Sequence, residues 1–410
     1  MNIRDYKNIL WNTVGTVINS FSSLIYLVIV TRINGINVSG VFSFCFSFSL
    51  MLYTAANLGG RVFEVSDKGR FNDSNYLTLK IFTCILSIVV ALAFAFIMKY
   101  EAIKIFLILI FMLVRSIEAF SDTFYAVLQK NEHLDFVGIS YFIKNILCFF
   151  VFFAVDIITR DILLSSVALL ITTLSVYFLY DYRKVLQFEK LQLVFDFKNI
   201  IALFKNIFNF MIFNLLTMVI ANIPRIIVDL YYSDTELGYF GILIMIPTVV
   251  ILLGQLIIQP FLNTLSENFH SKQYNEILFS VKKILALITF VSLLCAVGAY
   301  ILGPWALRIF YGVDLTSFRL AIFLLVIAGM FNCYSAMLST VLTVIRKTGI
   351  QLVIYSSVLV FEAIFMAVVL RFTDFSIVFW IYLGIMILQF IIFILCYHYL
   401  FVRRYLNAKS

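Results

Sequence analysis

Charged residues are scarce in this sequence. Asp, Glu, Lys and Arg make up 13% of the 410 residues, whereas a soluble globular protein carries about 25%. Hydrophobic residues account for 63%, and the mean hydropathy is +1.04. A soluble chain of this length would form two or three domains, but this composition would not keep them in water. We therefore expect an integral membrane protein.

Proline, histidine and paired cysteines are also rare. The 4 Pro and 16 Gly residues exclude a collagen-like or low-complexity chain. No H-E-x-x-H, Walker A, G-x-G-x-x-G or G-x-S-x-G motif occurs, so we expect neither an enzyme nor ATP hydrolysis. The cysteines lie within apolar runs without C-x-x-C spacing, which argues against a disulfide framework or metal site; they are Cys45, Cys84, Cys148, Cys295, Cys333 and Cys396.

Long apolar runs are abundant and predict the fold class. Transmembrane β-strands need only about ten alternating residues, whereas runs of about 20 residues fit α-helices. The sequence therefore predicts an all-α integral membrane protein with about twelve transmembrane helices. Their approximate ranges are 9–30, 38–58, 81–98, 105–128, 136–155, 162–180, 206–228, 237–259, 284–303, 317–343, 350–370 and 377–400.

Basic residues predict the orientation, because Lys and Arg concentrate in cytoplasmic loops. With a cytoplasmic N-terminus, most of the 30 Lys and Arg residues fall in cytoplasmic segments, and both termini are cytoplasmic. The net charge of +8 then reflects topology, and no nucleic-acid partner is expected. The exceptions are Arg32, Lys99, Lys104, Arg160, Arg308, Arg319 and Arg371 on the outer side, and Arg115, Lys144 and Arg225 within helices.

A central polar segment divides the chain. Residues 181–205 alternate charges with Leu, Val, Phe and Ile, which predicts an amphipathic helix on the cytoplasmic membrane surface. Six-helix bundles at 1–180 and 206–410 then flank this linker. Two short repeats support the division, since Lys7-Asn8-Ile9 recurs as Lys205-Asn206-Ile207 and Gly40-Val41-Phe42 as Gly238-Tyr239-Phe240, at one offset. Parallel repeats place a substrate site between the halves, so we expect a central cavity.

The fourth helix carries the most specific pattern. Its polar residues follow each other at helical spacing and share one face: Arg115, Glu118, Asp122, Tyr125 and Gln129. A charge near the centre of a membrane helix costs roughly 2.5–3.5 kcal/mol, so this face must avoid lipid. Two interpretations are open. Arg115 and Glu118 can neutralise each other as a structural pair, or the whole face can line a polar cavity.

Other intramembrane polar residues also admit both structural and functional roles. Lys144 and Glu362 can pair with neighbouring helices, but an isolated carboxylate also suits proton or cation coupling, as does Asp122. Arg225 can bind a phosphate or carboxylate or anchor the interface. Arg61, after Gly59-Gly60, can contact an anionic headgroup or simply set topology.

Several of these motifs together resemble a known family. The run Val30-Thr31-Arg32-Ile33-Asn34-Gly35 with Gly40-Val41-Phe42-Ser43 resembles the first helix junction of polysaccharide (O-antigen and capsule-type) flippases. These form the polysaccharide-transport branch of the multidrug/oligosaccharidyl-lipid/polysaccharide exporter superfamily. The fourth-helix pattern, continuing to Asp135 and Gly138, resembles the same family. So does Ile223-Pro224-Arg225, leading through Leu237-Gly238-Tyr239-Phe240 to Gln259-Pro260.

The resemblance implies a bacterial inner-membrane flippase with two six-helix bundles around a central cavity that opens alternately to either side. Its substrate would be a polyprenyl-pyrophosphate-linked oligosaccharide, moved to the outer leaflet. Membrane lipids and polysaccharide assembly proteins would be partners, and a coupling proton or sodium ion would replace any cofactor. The implied roles are the anionic linkage for Arg115, Lys144 and Arg225, the sugar path for Tyr125, Gln129, Asn214 and Asn332, and ion coupling for Asp122, Glu362 and Glu118.

Three alternatives remain open at this point. A cation-coupled multidrug exporter of the same superfamily would prefer an acidic cavity, whereas the buried basic residues favour an anionic substrate. A membrane-embedded polysaccharide polymerase or glycosyltransferase would need larger outer loops than this chain provides. Members of the lipid II flippase branch usually carry two additional helices.

Overall fold

The computed structural model describes residues 3–67 and 71–406, and all regular elements in these ranges are helical. Lys68, Arg70 and Lys409, which contribute to the predicted orientation, lie outside them. The long helices are α1 (Ile3–Asn34), α2 (Ile36–Ala56), α3 (Asp73–Ile97), α4 (Ala102–Lys130), α5 (Leu134–Thr159), α6 (Ile162–Val176), α7 (Phe197–Tyr231), α8 (Asp234–Leu243, continued by Met245–Ile258), α9 (Tyr274–Tyr311), α10 (Arg319–Val344), α11 (Thr348–Val369) and α12 (Ile377–Tyr397).

These helices make the chain a multi-pass membrane protein. Within the described residues, 11 helices are long and apolar enough to cross a membrane. Helix α4 has 29 residues, about 43 Å, which exceeds the roughly 30 Å hydrocarbon core, but it carries Arg115, Glu118 and Asp122. The predicted all-α membrane fold with about twelve long helices is confirmed.

The chain packs as two compact units, Met1–Met218 and Val219–Ser410. Their boundary falls inside α7, whose first half packs within the first unit. There Ile200, Leu203, Ile207 and Met211 form one apolar cluster with Leu58, Phe71, Tyr76 and Leu79. The division into six-helix bundles at 1–180 and 206–410 refers to membrane crossings, which these units do not test, and it stays a prediction.

The linker over 181–205 differs from the predicted amphipathic helix. A π-helical turn ends at Asp181, a single helical turn covers Tyr182–Val185, and residues 186–196 are not helical. The backbone N–H of Gln192 donates to Ser74 Oγ at 3.2 Å, and that of Val194 donates to Thr78 Oγ1 at 3.1 Å. The predicted amphipathic helix is therefore absent over residues 186–196, where two hydroxyls one turn apart on α3 instead bind N–H groups of the non-helical linker.

The backbones of helices α1 and α5 lie in direct contact at Gly15 and Gly138. A Cβ atom added to Gly138 would lie 2.2 Å from the carbonyl oxygen of Trp11, and one added to Gly15 would lie 2.3 Å from the carbonyl oxygen of Gly138. Asn8 on α1 also donates to the carbonyl of Glu132 at 2.9 Å and accepts from the backbone of Asp135 at 3.0 Å. These contacts fix the start of α5 against α1.

The two halves repeat local geometry as well as sequence. Gly40 and Gly238 each stand four residues beyond the first residue of their helix, Ile36 and Asp234. The turns before α5 and α11 each contain a left-handed non-glycine residue, with φ of 63° at Glu132 and 58° at Arg346. These matches agree with the internal repeat predicted from the sequence.

Candidate functional site

The polar face of α4 begins with an ion pair. Arg115 Nη1 lies 2.6 Å from Glu118 Oε2, and the two side chains are 12% and 24% exposed. The Arg115 guanidinium also lies 4.5 Å from the centre of the Phe46 ring on α2. The pair expected at i,i+3 is therefore present, and an aromatic ring covers its cation.

One turn further along α4, Asp122 accepts hydrogen bonds from the turn that follows α2. Its Oδ2 atom accepts from the backbone N–H of Arg61 at 2.7 Å and from Asn57 Nδ2 at 3.0 Å. Lys80 Nζ on α3 lies 3.9 Å from the same oxygen and forms a completely buried ion pair with Glu64. The Asp122 carboxylate thus joins α2, α3 and α4.

The turn that follows α2 explains why this sequence can place two donors on one oxygen. Leu58, Gly59 and Gly60 are all left-handed, with φ of 53°, 80° and 70°. A Cβ atom on Gly60 would lie 3.2 Å from Asn57 Nδ2 and 3.3 Å from Asp122 Oδ2. Glycine is therefore favoured at position 60 both for the backbone conformation and for the close approach of the carboxylate.

A second network forms around Tyr125, one turn beyond Asp122. Its hydroxyl lies 2.7 Å from Ser140 Oγ, donates to Asp181 Oδ2 at 3.1 Å and accepts from Lys144 Nζ at 3.1 Å. Asp181 also accepts from Ser121 at 3.0 Å and bonds to Ser140. Asp181 is the last residue of a π-helical turn, and its carboxylate contacts side chains of α4 and α5. Such turns are frequent at functional sites.

These buried cations have carboxylate partners. Arg115 pairs with Glu118, Lys80 pairs with Glu64, and Lys144 Nζ lies 3.8 Å from Asp181 Oδ2. Such pairing offsets the cost of removing charge from water.

The other predicted polar site residues of the first unit are Gln129 and Asn214. Gln129 is half-buried near the end of α4, and Asn214 is half-buried on α7. The backbone carbonyl of Asn214 accepts from Thr217 at 2.8 Å. Among the predicted residues, the structure brings Arg115 to Glu118 and Tyr125 to Lys144.

Arg225, Asn332 and Glu362 lie in the second unit. Arg225 is 6% exposed, and Asn332 donates to Met386 Sδ at 3.4 Å. Glu362 is completely buried, and neither carboxylate oxygen has a hydrogen-bond partner among the described residues. This isolation is the state that the sequence analysis considered suitable for ion coupling.

The sequence analysis missed several members of the networks. The sequence predicts a cytoplasmic loop for Glu64 and Lys80 and places Asp181 in the linker, whereas all three side chains are buried. The signal for Lys80 is the helix start at Asn72, whose side chain accepts from the backbone of Ser74 at 3.3 Å. This N-cap pattern puts Lys80 inside α3, so the predicted start of that helix at residue 81 is wrong.

The comparison with protein-family models gives no match. Among solved structures, the chain resembles an inward-facing multidrug resistance MATE family transporter of the MOP superfamily, with a TM-score of 0.72, 11% identity, and 96% of this chain and 98% of the other covered. The chain has the MOP-superfamily transporter fold. MOP abbreviates the superfamily that the sequence motifs resemble, so that resemblance is confirmed at the level of the fold.

Two further similarities are to a lipid II flippase and to a capsular polysaccharide biosynthesis protein. The structure of this chain also aligns with that of the lipid II flippase MurJ in an inward closed conformation. The TM-score is 0.70 and the identity 16%, and the alignment covers 94% of this chain and 87% of the other. In sequence, the chain is 21% identical over 371 residues to the capsular polysaccharide biosynthesis protein CapF of Staphylococcus aureus. That alignment covers 87% of this chain and 91% of CapF.

Proposed function

We propose that the protein is a flippase for polyprenyl-pyrophosphate-linked oligosaccharide repeat units, which it moves from the cytoplasmic to the outer leaflet by alternating access. The observation that carries the proposal is the buried polar face of α4 within an otherwise apolar chain. Sequence similarity to CapF over most of both chains and fold similarity to MurJ support it.

The chemistry of such a substrate matches this polar face. An oligosaccharide and a pyrophosphate cannot enter hydrocarbon without replacing their lost hydrogen bonds, whereas the polyprenyl tail stays in the lipid. In this proposal Arg115, Lys144 and Arg225 bind the anionic linkage. Tyr125, Gln129, Asn214 and Asn332 line the sugar path. Asp122, Glu362 and Glu118 are the candidates for coupling to a proton or sodium ion.

The proposal includes a location and an orientation. The protein lies in the bacterial cytoplasmic (inner) membrane with both termini in the cytoplasm, next to membrane lipids and polysaccharide assembly proteins. Reporter fusions after Gly35 and after His270 test the orientation. The first is expected on the outer side and the second in the cytoplasm, and the reverse pattern contradicts the orientation.

Deletion of the gene tests the transport step. We expect complete single repeat units, still linked to their lipid, to accumulate on the cytoplasmic leaflet. Oxidation with a membrane-impermeant reagent in intact and broken spheroplasts distinguishes the two leaflets. Completed but unpolymerised units on the outer leaflet would instead identify a polysaccharide polymerase and exclude the flippase.

A cation-coupled multidrug exporter is the second candidate, because the MATE transporter aligns as well as the flippase does, with a TM-score of 0.72. The paired basic residues Arg115 and Lys144 favour an anionic substrate over a cationic drug. Growth of the deletion strain on cationic drugs separates the candidates. Increased drug sensitivity together with normal lipid-linked intermediates would favour the exporter.

A further inference from the structure

A pair of unsatisfied polar atoms marks the turn after α2. Arg61 Nη1 and Asn57 Oδ1 are both buried, and neither has a hydrogen-bond partner among the described residues. Lys144 and Arg115 differ, because each has a carboxylate partner. A buried donor or acceptor without a partner costs free energy, so a molecule that supplies the missing partners is expected to bind here.

The two residues are held on one carboxylate. Asp122 Oδ2 accepts from the Asn57 amide and from the Arg61 backbone, so these contacts fix both residues while Arg61 Nη1 and Asn57 Oδ1 stay unused. Neither Asp122 contact involves the Arg61 guanidinium. The turn through Gly59 and Gly60 therefore carries one cationic donor and one neutral acceptor on residues four positions apart, both anchored at Asp122.

A tyrosine adjoins this turn. The Tyr53 hydroxyl accepts from Asn57 Nδ2 at 3.0 Å. Aromatic side chains with polar tips are suited to a ligand that has both an apolar face and hydroxyl groups.

We propose that Arg61 and Asn57 form a subsite for a glycosyl phosphate, in which Arg61 donates to a phosphate oxygen and Asn57 accepts from a sugar hydroxyl. Guanidinium groups suit phosphate because they remain charged and present several donors. The subsite rests on the proposed function, since its ligand is the junction between the sugar and the pyrophosphate of the lipid-linked substrate. Asp122 positions both residues and does not itself contact the ligand.

Binding of two lipids to the purified full-length protein in nanodiscs tests the subsite. The probes are undecaprenyl pyrophosphate and undecaprenyl-pyrophosphoryl-N-acetylglucosamine, measured by native mass spectrometry. Arg61→Gln should weaken both about tenfold or more, as expected for a hydrogen bond to a charged group, and Arg61→Lys should recover part of the affinity. Asn57→Ala should weaken binding of the glycosylated lipid more than binding of the bare pyrophosphate, and so reduce the preference for the glycosylated lipid. Arg183→Gln, at an exposed arginine, should change neither.

The outcomes separate the subsite from the proposed function. Wild-type affinity in Arg61→Gln, or no binding of either lipid by the wild type, overturns the subsite. If Arg61→Gln does not fold, as judged by size-exclusion chromatography, undiminished affinity in Arg61→Lys overturns it. If Arg61→Gln loses affinity but the wild-type protein does not flip these lipids in proteoliposomes, the subsite is supported and the proposed function is excluded. If the wild-type protein flips these lipids but Arg61→Gln binds them as tightly as the wild type, the proposed function is supported and the subsite is excluded.

Discussion

Asp122 Oδ2 lies 2.7 Å from the backbone nitrogen of Arg61, which precedes it by 61 residues. The carboxylate of one membrane helix thus satisfies an N–H group at the start of the short helix Gly60–Ser66. Backbone donors at helix starts need such partners. The turn after α2 therefore depends on α4, and the residue first considered for ion coupling also has a structural role.

Two substitutions separate these roles of Asp122. Asp122→Ala leaves the donors of Arg61 and Asn57 unpaired and should lower the free energy of unfolding by about 1–3 kcal/mol. Asp122→Asn keeps an acceptor and should lose less stability. Unfolding in detergent measures both. Transport that is abolished in a stable Asp122→Asn variant would support ion coupling, whereas normal transport would assign Asp122 to structure alone.

The Lys80–Glu64 pair is expected to be critical for stability. Both side chains are buried, and removal of one partner of a buried pair costs about 3–5 kcal/mol. Lys80→Met should therefore unfold much earlier than the wild type, and Lys80→Met with Glu64→Leu should recover much of the loss. The matched control is Lys130→Met at the pair with Asp73, where the lysine side chain is 25% exposed. Equal losses at both pairs would contradict the prediction.

Tyr125→Phe tests the second network. The change removes the hydroxyl that lies between Lys144 and Asp181, and it should cost about 1–3 kcal/mol because buried polar atoms lose a partner. The control is Tyr177→Phe, whose ring stacks on Phe124 at 5.2 Å and should tolerate loss of the hydroxyl. Thermal unfolding of both variants in one detergent gives the comparison. A larger loss in Tyr177→Phe would count against the network.

The close contact of α1 and α5 predicts that Gly138 cannot be replaced. Gly138→Ala would bring a Cβ atom to 2.2 Å from the Trp11 backbone, and the overpacking should cost about 1–3 kcal/mol. Gly384→Ala is the control, because a Cβ atom there meets nothing within 4 Å. Expression yield and unfolding temperature check the difference. A neutral Gly138→Ala variant would mean that the helices separate readily.

Arg115 offers the direct test of substrate binding on α4. If its charge binds the anionic linkage, Arg115→Ala should abolish transport at normal protein levels, while Arg115→Lys should retain part of it. Complementation of the deletion strain, with membrane protein quantified by immunoblot, measures this. Because Glu118 loses its partner in Arg115→Ala, the double variant with Glu118→Gln is the control for stability. Full activity in Arg115→Ala would leave Arg115 with the structural role only.

Much of the fold could be predicted because span length and apolar composition decide helices in a membrane. The start of α3 could not, since Lys80 looks like a loop residue until Glu64 is seen to pair with it. The conformation of the linker does not follow from the sequence for a related reason. Its alternating pattern gives no sign that Ser74 and Thr78, on another helix, bind its backbone.

The candidate site was predicted only where its residues share a helix. Spacing along α4 revealed the Arg115–Glu118 pair and placed Asp122 and Tyr125 on one face. It could not reveal Asp181, which comes to Tyr125 from a separate helix. Nor could it show that Asn57 and Arg61 meet at Asp122. That contact depends on the turn between them, in which three consecutive residues are left-handed.

The course of α7 limits how this protein can be divided into separate polypeptides. A break at Met218, where the compact units part, would leave Val219–Tyr231 about 20 Å long, too short for the roughly 30 Å core. A break within residues 186–196 keeps every long helix whole, but the first fragment then lacks the α7 side chains that pack on Leu58 and Tyr76. Two co-expressed fragments would therefore have to reassemble through α7, and we do not expect the N-terminal fragment to fold stably alone.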